Sequence, residues 1–268
     1  MRRVVRSSLP RPFAAAGAAG ELQRSLWSAV GAEVRWAFVP PRAWLSGVAV
    51  NLALSLAWLL VQPIRAEAHR DWVVLVGTYF SSFILADVTT TNVLGADNAR
   101  VVKALHEGTP LWRILLAKNI ALLVIVGLPT LSAAVMLTVC TEPPTRLLVT
   151  IPNVTLPILA WLGVGNLVSV LLPVGYQPLI RRWRQRRELR RTLLWMAHLG
   201  LPYLLFYLAD PIYGAPRAFV WHDLPALLGP GLGPVGHSLT HVAAGLIAWL
   251  AGIAAAEAYV RLNGLHIL

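Results

Sequence analysis

NVLGADNARVVKALHEGTPLWRILLAK, residues Asn92 to Lys118, lies between two long apolar runs. Asp97 to Glu107 predicts about three turns of helix, because Val101, Val102, Ala104 and Leu105 give apolar contact while Arg100, Lys103 and Glu107 stay polar. Asp97 stands near the start, where a helix favours negative charge. Gly108 and Pro110 then stop it. LWRILLAK climbs back into apolar sequence, with Trp112 expected at headgroup level and Arg113 and Lys118 expected to snorkel toward water. A short charged helix held between two apolar runs belongs to a membrane protein.

Composition agrees. The chain has 268 residues, 57% hydrophobic and 13% charged, and its mean hydropathy is +0.63. Soluble domains carry about 25% charged residues. The lone cysteine, Cys140, excludes an internal disulfide and a cysteine-based metal cluster. The net charge of +11 would suggest nucleic acid in a soluble protein. Here it reads as the Lys/Arg excess of cytoplasmic loops.

A crossing helix needs roughly 20 apolar residues. Six segments meet that need: Ala43 to Ile64, Trp72 to about Leu94, Asn119 to Thr141, Val154 to Val174, Thr192 to Ala209 and about Leu239 to Tyr259. Pro152 and Pro157 are expected to mark the entry of the fourth. With the N-terminus inside, nineteen of the 23 Lys and Arg residues fall on inside segments, seven of them in RRWRQRRELRR. That distribution predicts an N-in/C-in protein of the plasma (inner) membrane, multi-pass, with both termini cytoplasmic. The expected fold is all-α and polytopic, with six transmembrane helices and an N-terminal amphipathic helix. Residues 1–20 read as a basic, disordered cytosolic tail, 21–41 as the amphipathic interfacial helix, and 42–268 as the six-span domain.

In the segment before the first span, Leu22, Leu26, Val30, Val34 and Phe38 recur every four residues with Trp27 beside them. Glu21, Gln23, Arg24, Ser28 and Arg35 fall largely on the other side. This is an amphipathic helix suited to the membrane surface, ended by Pro40 and Pro41.

The order of basic tail, amphipathic helix, two spans and this loop resembles the membrane subunit (permease) of ABC transporters of the type-2 exporter class. The resemblance rests on Gly95, Asp97, Arg100, Pro110 and Lys118, in N-x-L-G-x-[DE]-x-x-R followed by TPLWRILLAK. It implies an ATPase-coupling helix made of Gly95, Asp97, Arg100, Val101, Ala104, Leu105, Glu107, Gly108 and Pro110. It also implies a separate ATP-binding subunit, a second permease copy or paralogue, and a plasma-membrane exporter working as a dimer. No G-x-x-x-x-G-K-[ST] phosphate loop occurs in the chain, so no nucleotide cofactor is expected on this chain and ATP belongs to the partner. The chain is expected to be a transport subunit rather than an enzyme. The competing class is a membrane-embedded enzyme acting on lipid-linked substrates, which would converge polar side chains on one cavity near the membrane surface.

Asn51, Asp87 and His198 are the polar residues expected inside spans, where they could line a translocation path. No metal site is expected. His237 and His241 alone among the outer histidines have helical spacing. Gly245, Ala248, Gly252 and Ala256 form a small-residue stripe on the last span, fit for close packing within the chain or between two copies.

Overall fold

A computed structural model describes residues 25–39, 72–85, 91–95, 97–173, 189–209 and 234–265, with isolated positions between 49 and 57. Everything regular among them is helical. In chain order the elements are α1 (Leu26–Phe38), α2 (Trp72–Leu85), α3 (Asn98–His106), α4 (Leu111–Thr141), α5 (Leu147–Leu171), α6 (Leu189–Ala209) and α7 (Pro234–Asn263). A single 3₁₀ turn, Pro144–Arg146, joins α4 to α5. Three stretches among the described residues are long and apolar enough to cross a membrane: Leu111–Thr141, Pro144–Leu171 and Leu239–Asn263. They cover the third, fourth and sixth segments expected from the sequence.

The central element is α5. Apart from Leu167, every side chain from Leu156 to Val170 is buried, as expected of a helix that is apolar on all sides and packed by others. It contacts α2, α4, α6 and α7. Pro152 and Pro157 do not mark its entry; both lie inside the helix. A proline removes one backbone hydrogen bond and crowds the carbonyl four residues back. Here Asn153 Nδ2 donates to the Val149 carbonyl at 2.8 Å and Thr155 Oγ1 to the Ile151 carbonyl at 2.7 Å. Four flanking helices pack around the breaks, as membrane helices allow.

The small-residue stripe meets α5. A Cβ added at Gly252 would collide with the Gly163 carbonyl oxygen, and one at Gly163 with that of Ala248. Ala256 is fully buried. Backbone therefore touches backbone between α5 and α7, and this face is used inside the chain.

Buried polar ties lie toward both ends of α5. Thr138 Oγ1 reaches Thr150 Oγ1 at 3.3 Å near the α4–α5 turn. At the far end of α5, Ser169 Oγ donates to the Thr91 carbonyl at 2.9 Å and accepts from the Val93 N–H at 3.0 Å. The second tie fixes the segment before α3 to the same end of the bundle as the start of α4.

Candidate functional site

The loop helix forms where the sequence places it, one residue shorter at each end. Asp97 occupies the N-cap position but makes no capping hydrogen bond; its carboxylate is engaged elsewhere. At the other end, Gly108 adopts φ 85°. The Gly108 N–H bonds the Leu105 carbonyl at 3.1 Å and the Thr109 N–H bonds that of Ala104 at 3.0 Å. This paired closure needs a left-handed residue, which glycine supplies without a steric penalty.

Beneath α3 lies a cluster of four charges. Lys118 is buried, at 6% side-chain exposure. Its Nζ donates to Glu33 Oε2 and to Asp97 Oδ2, each at 2.9 Å. Arg100 Nη2 donates to Glu33 Oε1 at 2.8 Å. Arg100 Nη1 lies 2.9 Å from Asp97 Oδ2, yet without the alignment of a hydrogen bond. Trp36 closes one side, its ring centroid 5.3 Å from Lys118 Nζ and 5.5 Å from Arg100 Cζ. Two carboxylates face two cations, so the cluster is formally neutral.

Three elements converge on it. Glu33 and Trp36 come from α1, Asp97 and Arg100 from the start of α3, and Lys118 from the second turn of α4. Lys118 therefore does not snorkel to water: two carboxylates and an indole face offer it more than the surface does. Burial pushes the Asp97 carboxyl above the ordinary value of 3.8, and attraction from Lys118 and Arg100 offsets part of that rise.

Helix α1 buries one part of its surface in the bundle and leaves another part open. Val30 and Ala37 are buried, whereas Trp27 and Phe38 are 71% and 51% exposed. The inward face runs through Val30, Glu33 and Ala37, and it packs on α4. Ser25 caps the helix, its Oγ accepting from the Ser28 N–H at 3.2 Å. Glu33 and Trp36 are the functional residues that sequence reasoning missed. A carboxylate three residues before a tryptophan, level with Val30 and Ala37, was the available signal.

The residues expected in the coupling helix divide into two sets. Gly95, Asp97 and Val101 are buried, and Arg100 is half-buried in the cluster. Ala104, Leu105 and Pro110 are partly covered. Glu107 and Gly108 are exposed, and so are Ala99, Val102, Lys103 and His106, which share one face of α3. Of the residues expected along a translocation path, His198 falls within α6, while Asn51 and Asp87 lie outside the described residues.

Two further contacts stabilise the start of α4. The Glu257 carboxylate, from the last turns of α7, accepts the Trp112 N–H at 2.7 Å, and Arg261 pairs with Glu257 at 2.9 Å. A carboxylate on the first free N–H groups of a helix is doubly favoured, by hydrogen bonding and by the helix dipole. One residue past Lys118, Asn119 Nδ2 donates to Asn166 Oδ1 at 3.0 Å, both side chains being fully enclosed.

These features define a helical membrane protein with a short helix tied by charge to α1 and α4. No family model, no characterised protein and no solved structure matches the chain.

Proposed function

We propose that this chain is the membrane-spanning subunit of an ATP-driven exporter, coupled through α3 to a separate ATP-binding subunit and paired with a second permease chain. One observation carries the reading. The inner face of α3 is tied by charge to both the amphipathic helix and the start of a spanning helix. Its outer face, Ala99, Val102, Lys103 and His106, is open. A helix so held transmits a push on its outer face to α1 and α4 together. Alternating access would follow from two ATPase subunits closing on ATP and displacing this helix.

The topology of six spans with both termini inside is part of the proposal, and one contact supports it. Trp112 opens α4 and Glu257 nearly closes α7, and they touch. On this reading the crossings from residue 111 to residue 257 are even in number. Helices α4, α5 and α7 are three, and α6 is the described helix available for the fourth. Two crossings before α3 complete six, and the Lys/Arg distribution puts α3 on the cytoplasmic side.

The test is purification of the full chain from its native membrane in mild detergent. A separate ATP-binding chain is expected to accompany it, with turnover that depends on the complex. Val102→Asp and Glu107→Lys, on exposed positions, are expected to abolish that dependence while leaving the chain folded. Arg100 is a poorer choice, because reversing its charge also breaks the contact with Glu33. Cargo movement by the purified chain with no ATPase present would overturn the proposal. So would reporter tags placing residues 97–107 outside the cell.

A further inference from the structure

The long helix α4 is not uniform. Leu111–Leu122 is α-helical, Leu123–Gly127 is a π-helical turn, and Leu128–Thr141 is α-helical again. The wide turn is visible in the Leu128 N–H, which bonds the Leu123 carbonyl five residues back. Its cause is Pro129. An α-helical ring at that position would crowd the Ile125 carbonyl and offer it no N–H. Widening the preceding turn by one residue relieves the crowding. Thr130 Oγ1 donates to the Val126 carbonyl at 2.8 Å, which supports the backbone where the regular ladder is interrupted.

The two halves are held unequally. The inner half is pinned by side-chain hydrogen bonds or ion pairs at three places: Trp112 to Glu257, Lys118 to Glu33 and Asp97, and Asn119 to Asn166. Among the described residues the outer half has one such polar tie between helices, Thr138 to Thr150. Its flank is open at Leu128, Met136 and Val139, which are 51%, 69% and 55% exposed. On the inward side of the junction, a Cβ at Gly127 would lie 3.1 Å from Ile158 Cγ2, so α5 bears directly on the wide turn.

We propose that the π turn at Leu123–Gly127, set by Pro129, is a hinge on which residues 128–141 tilt while residues 111–122 stay clamped. The device does not depend on the proposed transport function: a rigid half, a softened turn and a loosely tied half make a hinge whatever the protein does. Pro129 gives the preceding turn no N–H, so that turn opens before its neighbours.

Hydrogen exchange on the full chain in lipid nanodiscs tests this. Residues 123–130 are expected to exchange about tenfold or more faster than 114–121. They lie nearer the middle of the apolar stretch Leu111–Thr141, so a uniform helix would show the opposite order. Pro129→Ala restores an N–H and is expected to slow exchange at 123–130 toward that of the inner half. Spin labels on the native Cys140 and on Val102→Cys add an independent readout: a broad distance distribution that narrows with Pro129→Ala. Exchange at 123–130 as slow as at 114–121 in the unsubstituted chain would overturn the hinge, and so would a folded Pro129→Ala chain with unchanged exchange and distances. Should Pro129→Ala fail to fold, the comparison within the unsubstituted chain still decides.

Discussion

Lys118→Met is the sharpest perturbation the charge cluster allows. Methionine keeps the length and apolar stem of lysine, so packing is retained and one charge is lost. The change leaves Glu33 and Asp97, at 15% and 6% side-chain exposure, sharing a single cation that is itself 40% exposed. Removing one partner from a buried ion pair costs about 3–5 kcal/mol, because the remaining charge is stranded away from water. The exposed pair Lys103–Glu107, 3.7 Å apart and 76% and 59% exposed, provides the internal control. Surface pairs of that kind contribute about 0–1 kcal/mol. Since 1 kcal/mol moves the midpoint of a chain this size by about 2–4 °C, Lys118→Met is expected to lower Tm by about 6–20 °C. Lys103→Met is expected to change it by about 4 °C or less. Thermal unfolding in detergent gives the midpoint, and Trp36 emission gives a local signal because Lys118 sits over its ring. The double variant Lys118→Met with Asp97→Asn is expected to recover part of the loss, since it removes the stranded carboxylate. Equal midpoints for Lys118→Met and Lys103→Met, or a double variant as unstable as the two changes summed, would refute the reasoning.

Asp97 also predicts a pH dependence. Its folded pKa lies above 3.8, so its own contribution to stability is full below pH 3.8 and is lost as pH rises through the folded value. Asp97→Asn is expected to flatten that part of the Tm–pH curve; an unchanged slope would count against a buried Asp97. Glu257→Ala removes the carboxylate at the start of α4 and is expected to cost about 1 kcal/mol, with Glu257→Gln milder because it keeps an acceptor. Denaturation midpoints of the two variants would separate the cases. Gly252→Ala drives a methyl group into the Gly163 backbone and is expected to prevent stable assembly of α5 on α7. Gly31→Ala meets nothing within 4 Å and is expected to stabilise α1 by about 0.5–1 kcal/mol. Yield and Tm of the two alanine variants provide the comparison.

Much of the fold was legible because helix period, apolar length and turn chemistry are local properties. The α3 boundaries follow from Gly108 and from the charge pattern of residues 97–107. The apolar runs announce α4, α5 and α7. The prolines of α5 misled because a proline's effect depends on what surrounds it. Four neighbouring helices packed around α5 are what carry the helix through. The direction of Lys118 was misread for a related reason. A lysine near a membrane surface snorkels by default, and nothing local reveals two carboxylates waiting inside.

The sequence by itself determined that the chain is helical, apolar and built for a membrane, and that a short charged helix interrupts it. Those properties follow from backbone periodicity and from transfer of side chains out of water, which each segment expresses alone. Only the tertiary structure decided that Glu33 meets Lys118 across 85 positions, that the glycine stripe closes on Gly163, and that Glu257 crowns the start of α4. Each of these is a pairing of groups distant in sequence. Its energy exists only when both partners leave water together, so neither partner's local pattern records it.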